Sequence, residues 1–412
     1  MSKSKLGLIT FCAVSYIVCP VVTFLVSLWT FLVTRSRISL LFIFLYLGPF
    51  GYVLNVVYDG DMDMMRLYNA YDNIKELSFS EAWPFILSVG DLSYTMFWLL
   101  GQLNVPTQFI GFLSSAWFYG AWFLVMLHIE RFHQSRFSAI YMMAFFTIFI
   151  TVTHPFFFSG IRSSTGTMIA LIGTISLFQG KVKRGFYWLI SSCVFHFSFI
   201  PYLLLCICFV SGNRRMVNVL SILLVLGTLL YPYLMIVLSE LCSYLGIVGQ
   251  VISTKILSYS FEMTRNSAVL TYGSGWRFID NVFLFFACSF IRFLPNVRKQ
   301  IYSNDYLLRF DGFLTLFFAF CMFISSNNVM LGRYITILVY LNLLFVASLY
   351  FYFKKIVLSK YVFCMSCFSM MFSCIAIYRE LIGGDDINYV YYPRLMYQNL
   401  FSIISIQVDY GI

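Results

Sequence analysis

The chain has 412 residues, 60% of them hydrophobic and 11% charged, with a formal net charge of +10 and a mean hydropathy of +0.84. A soluble domain cannot hide that much apolar surface, so the solvent is a bilayer. The positive charge does not point to nucleic acid, because the basic residues lie in short clusters between apolar runs, where the positive-inside rule puts cytoplasmic loops. No soluble stretch is long enough to fold alone, so residues 1–412 read as one integral membrane domain.

Apolar runs of spanning or near-spanning length cover 7–33, 38–57, 106–128, 138–153, 163–180, 186–211, 217–239, 276–294, 304–324, 334–353 and 359–378. The first follows Met-Ser-Lys-Ser-Lys, is too long for a signal peptide and lacks a small-residue cleavage site, so it is predicted to be a first transmembrane helix. Residues 91–103 are amphipathic and predict an interfacial helix. The run 186–211 has Lys181, Lys183 and Arg184 before it and Arg214 and Arg215 after it, with His196-Phe-Ser-Phe-Ile-Pro201 at its centre. A single crossing would separate two basic clusters that belong on one side, and proline breaks a helix, so the run is predicted to dip in and return. The inner loops then hold Arg35/Arg37, Arg131/Arg136, Arg298/Lys299 and Lys354/Lys355 against two acids, Glu130 and Asp305. One conflict remains, since Lys3 and Lys5 fall outside. The expected fold is an all-α polytopic membrane protein with about ten full transmembrane helices plus one broken or re-entrant helical segment. Its longer connections, near 58–90, 154–162, 240–275, 325–333 and 379–412, make the extracytoplasmic face the active one.

Within these elements several constellations could carry chemistry. Asp59, Asp61 and Asp63 open like a calcium loop, but Met64 replaces the required glycine and Ala70 the closing Glu, which excludes an EF-hand. The cluster reads either as a general base or sugar-hydroxyl site or as a solvated acidic loop; Arg66, Tyr68 and Tyr71 follow at helical spacings. In His154-Pro-Phe-Phe-Phe-Ser-Gly160-Ile-Arg162 a glycine and a cation stand where an outer loop meets a helix, an arrangement that suits phosphate, against the plainer reading of an arginine snorkelling to water. His196 at membrane depth is either functional or bonded to a backbone group freed at the break. Arg277 and Asp280, three apart, either pair or leave Arg277 facing a substrate, and Arg333 again places a cation at the outer mouth of a span. Arg309 and Asp311 do not face each other and carry no assigned role. Cys364-Met-Ser-Cys367 has redox spacing but lies in an apolar run and reads as packing. There is no phosphate-binding loop or dinucleotide fingerprint, and the four histidines, at 128, 133, 154 and 196, are scattered, so neither metal nor cofactor is expected.

The stretch from Gly160-Ile-Arg162 to about Leu205 has a distinctive order: a Gly-x-Arg opening a helix, a basic turn, then an apolar helix ending in Phe195-His196. It resembles the EpsG family of polysaccharide polymerases, related to the Wzy O-antigen polymerases. Asp63-x-x-Arg66-x-Tyr68, Gly273-Ser-Gly275 and Gly332-Arg333-Tyr334 are similar to other family stretches, while Ser163 departs from the Gln often found there. The resemblance implies a glycosyltransferase of the bacterial inner (cytoplasmic) membrane, joining lipid-diphosphate-linked repeat units of an O-antigen, capsule or exopolysaccharide at the outer face. Its substrates would be a polyprenyl-diphosphate-linked glycan donor and acceptor amid membrane lipid, with a chain-length regulator and a flippase as candidate partners and no nucleic acid. Such a reaction needs a base for the acceptor hydroxyl and cations for the departing diphosphate. The candidate bases are Asp61, Asp63, His154 and His196; the diphosphate candidates are Arg162, Arg277 and Arg333; the glycan candidates are Arg66, Tyr68 and Tyr71. A lipid-linked glycan flippase or transporter and an O-antigen ligase are the alternatives; an acyltransferase lacks its His-acid pair in the inner loops, and the ligase's outer-loop histidine is absent from 240–275.

Overall fold

A computed structural model describes residues 3–52, 63–89, 93–152, 161–244, 274–325, 328–353 and 355–382, with isolated positions between 246 and 256 and at 399 and 402. The described residues are predominantly helical, with no strand among them. The chain divides into two compact units, Met1–Gly173 with Tyr187–Phe199 and Ile377–Ile412, and Thr174–Phe186 with Ile200–Ala376.

The first unit opens on α1 (Lys3–Val18) and α2 (Pro20–Thr34). Pro20 has no N–H to continue α1 and sits at the start of α2, where none is needed. Across the break Ser15 Oγ pairs with Thr23 Oγ1 at 2.7 Å, and Cys12 Sγ lies 3.6 Å from Ser27 Oγ. The two helices are therefore antiparallel, and the single first helix expected over 7–33 is corrected to a hairpin. Hydropathy cannot see such a reversal, because both arms are equally apolar. At 1.5 Å per residue, arms of 16 and 15 residues fall short of the roughly 30 Å hydrocarbon core. Extending the register brings Lys3 and Lys5 level with Thr34 and Arg35, so the N-terminus returns to the Arg35/Arg37 end, and the charge conflict of a single crossing disappears.

Next, α3 (Arg37–Tyr52) carries Pro49, which deprives the Leu45 carbonyl of its helical donor; Tyr16 Oη supplies one at 2.8 Å. Helix α3 packs along α7 (Gln108–His133), the central pillar, 78% of whose apolar window is buried. Gly51 and Gly111 meet there with no room for a Cβ on either, and Ser115 Oγ donates to Leu47 O at 2.7 Å. At the other end of this pair, Arg35, in a left-handed conformation, donates through Nε and Nη2 to Glu130 at 2.9 and 2.6 Å. Glu130 also accepts from Phe137 N at 2.9 Å, and its side chain and that of Arg35 are only 6% and 8% exposed.

The stretch expected as an outer loop over 58–90 contains two helices, α4 (Asp63–Ile74) and α5 (Phe79–Val89), followed by α6 (Ser93–Gln102). Ser78 and Glu81 cap α5: Ser78 Oγ donates to the carboxylate at 2.7 Å and Ser78 N at 3.0 Å, holding Glu81 below the usual carboxylate range. The unit is completed by α8 (Ala139–Val152), most of α9 (Ile161–Phe178) and most of α10 (Val182–Phe195).

The run 186–211 is interrupted, as expected, but at His196 and a 3₁₀ turn, Phe197–Phe199. Pro201 does not interrupt a helix interior; it is the second residue of α11 (Ile200–Ser211), where its ring is tolerated. In the second unit, α12 (Arg214–Leu226) continues through a 3₁₀ turn into α13 (Tyr231–Ser243), then α14 (Ser274–Phe293), α15 (Pro295–Tyr302), α16 (Asp305–Phe323), α17 (Asn328–Leu349) and most of α18 (Lys355–Ile382). Its core is aromatic: Phe310 and Phe313 of α16 pack on Phe178, and Tyr202 bonds to Thr174 at 2.7 Å. Arg292 Nε donates to Asp311 Oδ1 at 2.7 Å, a partner that Arg309, two residues away, had hidden in the sequence. Among the described residues, four stretches are long and apolar enough to cross a bilayer: Gln108–His133, Arg214–Ser243, Asp305–Phe323 and Val357–Ile375. The window of Arg214–Ser243 is only 11% buried, leaving its apolar side chains for lipid.

Candidate functional site

Arg162 is the second residue of α9, so its guanidinium sits at the helix end where backbone N–H groups lack intrahelical partners. Arg162, Thr165 and Ile169 follow at i, i+3 and i+7 and share one face. That face lines a cavity of about 340 Å³, closed by Met96 of α6, Leu113 and Trp117 of α7, and Trp188 and Phe195 of α10. Arg162 is the one charged residue among the described lining, and its guanidinium stands 5.7 Å from the centroid of the Tyr94 ring. Tyr94 packs edge-on to Phe97 at 5.5 Å, and Phe97 to Tyr71 at 6.4 Å, so an aromatic row ties α4 and α6 to the arginine. The Nε1 atoms of Trp117 and Trp188 are buried with no hydrogen-bond partner among the described residues.

An adjoining strip of α9, one turn on from Arg162, sets its position against the helix break. Gly166 is buried, and a Cβ there would lie 2.9 Å from Cδ2 and 3.2 Å from Cζ of Phe199, so only glycine allows this approach. Beside it, His196 is 5% exposed and accepts from Ser198 N at Nδ1 over 3.1 Å, while its ring stacks on Phe197. A neutral imidazole accepting at Nδ1 carries its proton on Nε2.

The other sequence candidates are placed unevenly. Tyr71 is 1% exposed and donates to Val105 O at 2.5 Å; burial raises its pKa, which keeps the phenol protonated as a donor. Tyr68 is 3% exposed, its hydroxyl 2.8 Å from where a Cβ on Gly111 would lie. Both rings are thus engaged in packing α4 onto its neighbours. Asp63 and Arg66 lie on α4 and Arg277 is the fourth residue of α14, as backbone positions whose side chains are not described. Arg333, half-buried, is the sixth residue of α17, in the second unit. Asp61 and His154, with most of the stretches 154–160, 240–275 and 383–412, lie outside the described residues. No cluster of three or more His, Cys, Asp or Glu that could hold a metal occurs among the described residues.

Sequence reasoning singled out Arg162 as a candidate but not Trp117 and Trp188, which line the same cavity, or Tyr94, which lies against the arginine. Each lies in or beside an apolar stretch where an aromatic is unremarkable, and only the folding of α7, α9 and α10 brings the two indoles to the arginine.

No curated protein and no solved structure matches the chain significantly. The model of the EpsG family matches residues 60–393, which include α4 to α18 and the whole of the cavity. Most of the chain is covered, and the match contains the Gly-x-Arg helix start, the basic turn and the Phe-His break. The chain belongs to the EpsG family.

Proposed function

We propose that this protein of membrane polysaccharide biosynthesis is a polymerase. It would transfer one polyprenyl-diphosphate-linked oligosaccharide onto the non-reducing sugar of another, at the outer face of the inner membrane, with about ten full spans carrying the site. The observation that carries this reading is the cavity at the start of α9, where Arg162 is the one charged residue in an apolar and aromatic lining among the described residues. A guanidinium in such surroundings, beside a helix N-terminus, suits an anion attached to an apolar chain. A lipid diphosphate is that kind of ligand and already an activated leaving group, so neither nucleotide nor cofactor is required. Arg277 and Arg333, each near the start of a helix, are carried as further diphosphate candidates, each considered within its own unit, and Arg66 on α4 as a glycan candidate.

The base is assigned to Asp61, Asp63 or His154. The Ser198 hydrogen bond to His196 Nδ1 supports a different part for that residue, holding the break. Burial supports Tyr68 and Tyr71 as the packing that positions α4 rather than as glycan contacts.

A second reading is favoured by one feature: no carboxylate or imidazole lines the cavity among the described residues, as befits a flippase that only escorts its cargo. The test is the lipopolysaccharide or capsule profile of a deletion strain complemented with wild type or Arg162→Ala. Loss of the polymer ladder with single repeat units still reaching the acceptor supports polymerisation. Repeat units trapped inside would establish flipping instead. A normal ladder from Arg162→Ala, Arg277→Ala and Arg333→Ala alike would remove the diphosphate assignment.

A further inference from the structure

We propose that Arg214, Arg215, Arg298 and Tyr302, in the second unit, form a headgroup site for an anionic phospholipid of the cytoplasmic leaflet, with an acyl chain laid along the exposed face of α12. Two guanidiniums from different helices converge there on one exposed ring. Arg298 of α15 donates to Tyr302 Oη through Nε and Nη2 at 3.3 and 3.2 Å, and its guanidinium stands 5.7 Å from the ring centroid. Arg214 of α12 reaches the same centroid at 5.6 Å. Like charges gathered on one ring repel, and an anion shared by them offsets that repulsion. The hydrogen bonds from Arg298, with Arg214 adding to them, hold the Tyr302 phenol below its usual range, as a positive local potential should. Arg214 and Arg215 are also the first two residues of α12, after the Asn213 cap, where a cation opposes the helix dipole and an anion suits it. Arg215 and Lys299 are exposed and enter no ion pair among the described residues. Of the acids on the adjoining α16, Asp311 is paired with Arg292 at 2.7 Å, which leaves Asp305 against these four cations. The positive-inside rule puts such clusters at the cytoplasmic face, where the leaflet itself is anionic.

The apolar half of the site selects a lipid over a soluble anion. Arg215, Val219, Ile222 and Leu226 recur at i, i+4, i+7 and i+11 on α12, and all are exposed. At 1.5 Å per residue the stripe runs about 16 Å from the charges, close to the depth of one leaflet of a roughly 30 Å core. A phosphate at the arginines and a chain on the stripe are the two ends of one phospholipid.

In the test, the full-length protein in neutral detergent is offered phosphatidylglycerol or phosphatidylcholine with matched oleoyl chains, and the lipid retained is counted by native mass spectrometry. The wild type should bind phosphatidylglycerol about tenfold more tightly. Arg214→Gln with Arg298→Gln should remove most of that preference. Arg131→Gln with Arg136→Gln, which takes the same charge from the first unit, should leave it in place. Dihexanoyl phosphatidylglycerol should bind about tenfold more weakly than the oleoyl lipid, and inorganic phosphate at matched ionic strength should not displace the latter. Equal retention of the two headgroups by the wild type, a comparison that needs no variant to fold, would overturn the proposal. Equal loss of preference in the two double variants would overturn it too, by reducing the effect to net charge. Displacement by inorganic phosphate, or equal binding of the short-chain lipid, would assign the arginines to a soluble anion instead.

Discussion

The contact between Gly166 and Phe199 couples the helix break to the cavity, and Gly166→Ala tests that coupling. The new Cβ would lie 2.9 and 3.2 Å from two further carbons of the Phe199 ring besides an even closer one, where ordinary contact begins near 3.4 Å. Phe199 is 3% exposed and lies beside His196, itself 5% exposed, so the ring has little space to yield. Either the break or α9 must shift by several tenths of an ångström. Overpacking of this kind costs about 1–3 kcal/mol. Because Arg162 lies one turn before Gly166 on α9, the shift reaches the cavity, and a misplacement near 1 Å costs on the order of a hundredfold in rate.

Two readouts separate the effects: the melting temperature of the purified protein, and polymer length and yield in a complemented deletion strain. Gly48→Ala is the comparison. Its Cβ would meet the Phe112 ring at 2.5–2.6 Å, an overlap of similar severity, yet α3 contributes nothing to the cavity. Both variants should lose similar stability, and Gly166→Ala should lose far more polymer. Phe199→Leu added to Gly166→Ala should recover part of both, a coupling that independent sites would not show. Wild-type polymer and melting temperature from Gly166→Ala would refute the reasoning, as would equal polymer loss from Gly48→Ala.

Glu130→Ala strands the buried Arg35 guanidinium and should cost about 3–5 kcal/mol, with Arg35→Leu in the same chain restoring part of it in thermal unfolding; an unchanged unfolding midpoint in Glu130→Ala would show the pair to be idle. His196→Asn keeps an acceptor for Ser198 N and should retain folding and polymer, whereas His196→Ala leaves that donor unmatched and should lose about 1–3 kcal/mol. A folded His196→Asn that makes no polymer would return the imidazole to the list of bases. The α1–α2 hairpin predicts that a reporter fused at the N-terminus reads the same side of the membrane as one inserted at Gln134, near Arg35; opposite readings would restore a single first span.

The helical class, the break near His196 and the Gly-x-Arg helix start were legible because each depends on local chemistry: apolar runs, a proline and its neighbours, a cation at a helix boundary. The hairpin was not, although Pro20 marks where it turns, because a proline at a helix start and a proline in a kinked span look alike until Ser15 is seen against Thr23. The helices of 58–90 were hidden by their charge: Asp59, Asp61 and Asp63 drew attention to a loop, while the buried Tyr68 and Tyr71 one turn later were already spaced for a packed helix. Asp311 illustrates the same limit from the other side, since its partner Arg292 lies on another helix, beyond any local spacing rule.

The described cavity and the unassigned base together suggest how the labour divides. A site that must grip a diphosphate benefits from low polarity around its cation, because the attraction is stronger where water is excluded. A general base has the opposite need, since a carboxylate buried without a partner becomes protonated and an imidazole so placed, though neutral, is a weaker base. The cavity meets the first need with one arginine among its described lining and with aromatic walls; in the sequence Asp59 and Asp61 come before α4 and Asp63 begins it, and Tyr71 of α4 leads through Phe97 and Tyr94 to that same arginine. If the proposed base is Asp63 at the start of α4 and the proposed cation is Arg162 at the start of α9, the aromatic row from Tyr71 through Phe97 and Tyr94 would be the rigid link between their helices.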